Sequence, residues 1–276
     1  MWRTDKADSL IRSVEEVIRN PIRAKPTGEL KVGIDLGTAY TMLVVLDETD
    51  RPLACVSEYA DVIRDGLVVD YLGCCEIVKR LKAEAERSIG REILNAAIAV
   101  PPRTSIADVS THRHVVESAN ITVTNVIDEP TAANAVLAIR DGAVVDVGGG
   151  TTGISVFKNG NVVYVNDETI GGNHMTLVIA GNRGISFESA EKYKKDTLNK
   201  YEVFTVIVPV IEKIAAIVER HINNFDIDLI CLVGGTTCID GIETIIERIT
   251  GVPTVKPENP FLVTPLGIAM MMDQRQ

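Results

Sequence analysis

Apolar residues along this chain fall into two periods, short strand-like runs ending in glycine and longer helical stripes. In the stretch VVDVGGGTTGISVF, an apolar run from Val144 reaches a carboxylate at Asp146 and breaks at Gly148, Gly149 and Gly150. It passes the hydroxyls of Thr151 and Thr152 and resumes as the alternating Ile154–Phe157. Short Val/Ala-rich runs bounded by glycine read as buried strands, so this stretch predicts a β-hairpin. Gly33–Asp47 has the same grammar, with Asp35, Gly37 and Thr38 at the turn and Ala39 beside them. A third apolar strand, within Asp228–Thr237, ends at Gly234, Gly235 and Thr236. Further strands are expected at Pro52–Tyr59, Ala96–Val100, Val123–Ile127, Val162–Val165 and Thr254–Val255, with a turn at Asp65–Gly66.

Helical spacing appears first over residues 8–20, where Leu10, Ile11, Val14, Val17 and Ile18 share a face, Asp8 or Ser9 caps the start and Pro21 ends it. Pro21–Gly28 reads as a linker. A short helix tethered ahead of a core either docks on its own domain or serves as a partner-binding tag. Further helices are predicted over Tyr71–Ile89, Ser105–Ala119, the residues after Pro130, Asn173–Ala180, Phe187–Lys194, Val203–Ile222 with Pro209 near its first turns, Gly241–Ile249 and Leu266–Met272. His112 and His114 lie two apart, so they share no helix face and are expected at the surface. Lys192, Lys194 and Lys195 are expected to form a solvated face. Glu129, at a helix start, is either a complement to the helix dipole or a carboxylate delivered toward a cleft.

Composition narrows the function classes. A chain of 276 residues, 46% apolar and 4% aromatic, fits a Val/Ile/Ala-rich α/β protein with a sizeable core. A net charge of −10 argues against nucleic acid as a partner, because phosphate backbones need clustered Lys and Arg. No apolar run approaches the length of a membrane helix. The polar N-terminus MWRTDKADSL lacks the apolar core of a signal peptide, so a cytoplasmic protein is expected. Cys55, Cys74, Cys75, Cys231 and Cys238 form no CxxC pair and read as ordinary thiols, with adjacent Cys74 and Cys75 open to a redox reading.

The glycine turns carry the candidate chemistry. Glycine lets a turn bring its N–H groups close to an anion, and the threonines add hydroxyl donors. Asp146 would repel a bare phosphate, which suggests Mg²⁺ between the two through water. The bland alternative is a tight hairpin without a ligand. Two Asp-Gly-Thr hairpins and a Gly-Gly turn, all at strand ends, suggest a duplicated α/β fold with a nucleotide between its halves. Neither GxxxxGK[ST] nor GxGxxG occurs.

GIDLGTAYT, VIDEPTAANAVLA, VVDVGGGTTGISVF, LICLVGGTTCIDGIE and NPFLVTPLGIAMM occur in that order. They resemble the two phosphate, two connecting and one adenosine motifs of the actin/DnaK-type (Hsp70-like) ATPases. EYADVIRDGLVVDYLG and GGNHMTLVIAGNRGISFESAEKYK are similar to the EutJ family of ethanolamine-utilisation proteins, and the similarity runs from about Leu30 to Met272. The resemblance implies a duplicated ribonuclease H-like fold with reduced subdomain insertions. Its parts would be a helix and linker over 1–28, a first lobe over 29–140 and a second over 141–272, with the last helix, about 261–272, completing the first. It also implies ATP or ADP with Mg²⁺. Asp35 and Asp146 would orient metal-bound waters. Gly37, Thr38, Gly149, Gly150 and Thr151 would hold phosphates, Glu129 would position or deprotonate the attacking water, and Gly234 and Gly235 would let backbone approach phosphate or ribose. The implied role is chaperone-like, assisting ethanolamine ammonia-lyase or the shell and lumen proteins of a bacterial microcompartment.

Three departures qualify this. Gly153 stands where DnaK-type proteins carry an acid, Cys238 stands where they carry an arginine on adenine, and the chain is short, without their subdomain before the long helix or a match to their phosphate-binding lysine. Phosphate recognition is thus expected intact and base recognition thinned. Three readings follow: a weak ATPase, a non-catalytic nucleotide-responsive scaffold, and a small-molecule kinase of the same fold.

Overall fold

The computed structural model describes residues 5–21 and 26–272, so residues 22–25 of the expected linker lie outside the described residues. One strand plan appears twice. In the first sheet β1 (Lys31–Leu36), β2 (Tyr40–Leu46) and β3 (Pro52–Tyr59) form an antiparallel meander. Parallel strands β6 (Asn95–Val100) and β7 (Thr122–Asp128) follow on the other side of β1, giving the order β3-β2-β1-β6-β7. The second sheet repeats this with β8 (Gly142–Val147), β9 (Thr152–Lys158) and β10 (Asn161–Glu168) as the meander and β11 (Ile230–Val233) and β12 (Thr254–Val255) as the parallel strands. Its order is β10-β9-β8-β11-β12. Between β3 and the next helix lies a small hairpin, β4 (Ile63–Arg64) and β5 (Leu67–Val68). Its turn residues Asp65 and Gly66 have φ of 50° and 78°, the left-handed pair that a tight hairpin requires.

Helices cover both sheets. The first sheet packs on α2 (Tyr71–Ile89) and α3 (Ile106–Glu117). Asp70 caps α2 by accepting from Gly73 N–H, and Ser105 caps α3 by accepting from Asp108 N–H. The second sheet packs on α5 (Gly172–Arg183), α6 (Phe187–Lys195), α7 (Lys200–Ile222) and α8 (Ile242–Thr250). Between the two sheets lie α4 (Glu129–Leu137) and α9 (Val263–Met270), in a shared core with Met42, Val44, Val144, Phe157 and Cys231. Gly267 makes the α4–α9 contact this close: a Cβ there would strike the carbonyl of Ala132. Among the described residues no helix is long and apolar enough to cross a membrane.

The N-terminal helix, α1 (Asp5–Arg19), lies docked on β3 and α4. Ile11 and Val14 are fully buried, and Ala7 and Val17 nearly so. Polar contacts fix its register, with Glu258 N–H donating to Asp8 Oδ1 at 2.9 Å and Asn259 Nδ2 to Glu15 Oε1 at 2.8 Å. Ile18, assigned to the apolar face, is 46% exposed.

Several surface expectations are corrected. His112 is buried, its Nδ1 paired with the Asp108 carbonyl at 2.9 Å, and burial lowers its pKa; His114 is exposed as expected. The long helix starts at Lys200 after a short 3-10 turn over Thr197–Asn199, which leaves Pro209 well inside it. Cys74 and Cys75 are both buried and unpaired, and burial pushes the Cys74 thiol up to about 12, so it carries little thiolate.

Candidate functional site

The two Asp-Gly-Thr turns face each other across one cleft. Each is closed in the same way, Gly37 N–H donating to Tyr40 O at 3.1 Å and Gly148 N–H to Thr151 O at 3.0 Å. A Cβ built on Gly149 would lie 3.5 Å from the Cβ of both Thr38 and Ala39. The carbonyls of the glycine run are engaged from behind. Gly172 N–H donates to Gly148 O at 3.0 Å and Asn173 N–H to Gly149 O at 2.7 Å, while Thr236 Oγ1 donates to Gly148 O at 2.7 Å. Gly171 has to be glycine for this approach, since a Cβ would lie 2.6 Å from Gly148 O. With the carbonyls fixed, the N–H groups of Thr38, Gly149 and Gly150 have no protein acceptor among the described residues. Such a row of free amides is an anion cradle.

Carboxylates crowd the same place. Asp35 is the penultimate residue of β1 and Asp146 of β8, and both line the cleft with Glu129. Glu129 arrives on the first turn of α4, which Asp128 caps by accepting from Thr131 N–H at 2.9 Å. Thr264 Oγ1 donates to Asp146 Oδ2 at 2.5 Å. Gly234, at φ 90°, leaves the room that Asp146 Oδ1 and Val147 O fill, and Gly235 lies against Phe261. Burial pushes the Asp146 carboxyl up to about 6, and burial with the neighbouring Asp146 pushes Asp35 up to about 7. Glu129 is raised well above the carboxylate range, first by burial and then by Asp146 and Asp35. Such a group ionises fully only when a cation joins it. Among the described residues no three acidic, His or Cys side chains could cage a metal directly.

Two features escaped the sequence reading. Asp167 is the first. Register places Asp146, Gly153 and Asp167 in one row across β8, β9 and β10. Asp167 Oδ1 is buried without a hydrogen-bond partner. Burial pushes this carboxyl up to about 7. A carboxylate therefore stands one strand away from the position where Gly153 has none. Sequence spacing had ended this strand at Val165; only its continuation to Glu168 brings Asp167 into the row.

The second is the lysine face. Lys192 is exposed, whereas the Lys194 side chain is only 13% exposed. Its Nζ meets Glu191 Oε2 at 2.6 Å and donates to Gly172 O at 3.0 Å and Thr176 Oγ1 at 2.7 Å. Burial lowers its pKa, and Lys194 in turn holds Glu191 below the ordinary range against its own burial. Lys195 lies over the rings of Tyr40 and Tyr59, across the cleft. Tyr40, Glu191, Lys194, Lys195, Phe204 and Phe261 line a cavity of about 490 Å³ continuous with the glycine turns.

Of the residues assigned from sequence, Asp35, Gly37, Thr38, Ala39, Glu129, Asp146, Gly148, Gly149, Gly150, Thr151, Gly234, Gly235 and Thr236 all line this cleft. Thr152 does not. It is the first residue of β9, its side chain is fully buried, and its Oγ1 donates to Ile170 O at 2.7 Å, because strand alternation turns it opposite to Thr151.

Two duplicated mixed sheets with paired glycine turns and strand-end carboxylates between them define the actin/Hsp70-like ATPase fold. At 16% identity, MreB5 of Spiroplasma citri bound to ADP superposes with a TM-score of 0.70 over 89% of this chain and 96% of that one. A family model described as type IV pilus assembly protein PilM matches residues 105–272. Much closer, the ethanolamine utilization protein EutJ of Salmonella typhimurium is 41% identical over 241 residues, covering 87% of this chain and 85% of that protein. The crystal structure of EutJ from Carboxydothermus hydrogenoformans matches with a TM-score of 0.90 at 42% identity, over 97% of this chain and 98% of that one. The chain belongs to the EutJ family of ethanolamine utilisation proteins.

Proposed function

We propose that this chain binds Mg-ATP and Mg-ADP in the cleft, hydrolyses ATP slowly, and acts as a chaperone-like factor on ethanolamine ammonia-lyase or on shell or lumen proteins of a microcompartment. The observation that carries the nucleotide reading is the convergence of free amides from both glycine turns with Asp35 and Asp146 on one cavity. Fold relatives solved with ADP and with AMPPNP support it, and the family context supports the choice of clients.

In this reading the amides of Thr38, Gly149 and Gly150 and the hydroxyls of Thr38 and Thr151 hold phosphate oxygens. Asp35 and Asp146 orient the waters of Mg²⁺, which supplies the positive charge that the phosphate end lacks. Glu129, held on the first turn of α4, faces the position from which water attacks and takes its proton. Glu191, held in place by Lys194, offers an acceptor to sugar hydroxyls. Tyr40, Phe204 and Phe261 offer the apolar surface for a base. Conversion between nucleotide states would change how tightly the two sheets close on the cleft, and so the surface a client meets.

Thermal unfolding with Mg-ADP, Mg-ATP and Mg-GTP tests this reading. Nucleotide at a hundred times its dissociation constant stabilises the fold by roughly 2.7 kcal/mol, and Asp146→Ala abolishes the shift. No shift with any nucleotide at millimolar concentration overturns it. Phosphate release without an added acceptor, lost in Glu129→Gln while binding persists, separates a hydrolase from a non-catalytic scaffold.

A further inference from the structure

The β4–β5 hairpin reaches from the first half of the molecule onto the glycine run of the second. A Cβ built on Gly150 would lie 2.8 Å from Asp65 Oδ1 and 2.9 Å from both Asp65 N and Asp65 Cα. The tip thus rests directly on the last glycine of the run. Its base is pinned: Ile63 is fully buried, and the N–H groups of Val69 and Asp70 both donate to Val62 O, at 2.9 and 3.2 Å. At the tip, Gly66 packs toward Pro101. Asp65 has no ion pair among the described residues. Its charge instead adds to that of the Asp167 carboxyl nearby.

Direction along the cleft gives this contact its meaning. Gly148 lies at the nucleoside end, since its carbonyl accepts from Gly172 and Thr236, and Gly172 O accepts from Lys194. Gly150, two residues on, lies at the acidic end under Asp65. A phosphate chain entering from Lys194 therefore reaches Gly150 last. Two phosphates can be held short of the hairpin tip, but a third needs the space beside Gly150 that Asp65 fills, and it brings negative charge against a carboxylate without an ion pair among the described residues.

We propose that Asp65 is the specificity residue by which this cleft distinguishes a nucleoside triphosphate from a nucleoside diphosphate. The assignment rests on the nucleotide reading above. The hairpin tip lies undisturbed over a diphosphate, and a triphosphate has to lift it. Mg-AMPPNP accordingly binds more weakly than Mg-ADP to the native chain. The hairpin is also the element that registers the terminal phosphate, because its tip carries the contact from the first half of the chain to Gly150.

Titration calorimetry with Mg-ADP and Mg-AMPPNP on the full chain and on Asp65→Asn tests this. Asparagine keeps the size and tolerates the left-handed backbone of position 65, so only the charge is removed. The expected result is a gain of about tenfold or more in affinity for Mg-AMPPNP, with Mg-ADP changed by less than about twofold. Asp65→Gly, which is also compatible with this backbone, should act in the same direction. An unchanged affinity ratio, or equal tightening of both nucleotides, overturns the assignment of Asp65 while leaving the nucleotide site intact. Absence of binding by either nucleotide to the native chain overturns the nucleotide reading itself, and this assignment with it.

Discussion

Asp146→Asn should make the ligand-free protein more stable and the nucleotide-binding protein inert. Asp146 is 7% exposed and titrates at about 6 in the fold instead of its ordinary 3.8. Keeping it ionised near pH 8 therefore costs the folded state roughly 3 kcal/mol. Asparagine removes that cost while its carbonyl oxygen still accepts from Thr264 Oγ1. It also relieves Asp35, whose pKa is raised by burial and then by Asp146. The sign follows from the direction of the shift. A carboxyl with a raised folded pKa stabilises the native protein below its unfolded pKa and loses that contribution as pH rises through the folded one. The native chain should thus weaken from about pH 4 to about pH 7 as Asp146 and then Asp35 ionise, and the variant less so. Calorimetry without divalent cations reads this as a melting temperature raised by about 6–12 °C near pH 8 and little changed near pH 4. Added Mg-ADP should reverse the order by stabilising only the native chain. A variant no more stable than the native chain near pH 8, or one equally stabilised near pH 4, would refute the account of Asp146 as an anion held at a cost for a cation.

Two structural predictions accompany it. Gly267→Ala places a methyl group against the Ala132 carbonyl at the α4–α9 contact; backbone on both sides cannot yield cheaply, so a loss of about 3 kcal/mol or more is expected in urea unfolding. A loss under about 1 kcal/mol would mean that α9 can shift. Ile11→Ala removes a fully buried side chain of α1 and should lower the urea midpoint by the equivalent of about 3 kcal/mol at constant slope. An unchanged midpoint would show that the helix stands off the body in solution.

Strand and helix positions were largely legible in the chain because each element carries its own period. Apolar runs ending at glycine marked β1 and β8, alternation marked β2 and β9, and the stripe from Ile77 to Ala85 marked α2. The glycine turns were legible for a local reason as well: a run such as Gly148–Gly150 permits a backbone that few other sequences allow. The motif order likewise points to the family from the chain alone.

What failed from sequence was wherever a side chain's fate depends on a distant partner. Lys194 looked like a surface lysine because its neighbours in the chain are charged. It is half-buried because Glu191, Thr176 and Gly172 O meet it from two helices. Asp167 joined the row of Asp146 and Gly153 only through strand register. Thr152 was grouped with Thr151 by adjacency, although adjacent strand residues face opposite ways. The amphipathic stripe of α1 announced that one face is buried but not against what. The chain by itself determined the elements, their turns and the family, since those depend on local backbone preference and period. Which carboxylates share the cleft, which lysine enters it and what rests on Gly150 were decided by tertiary structure, because burial and electrostatic coupling belong to pairs of residues that only folding brings together.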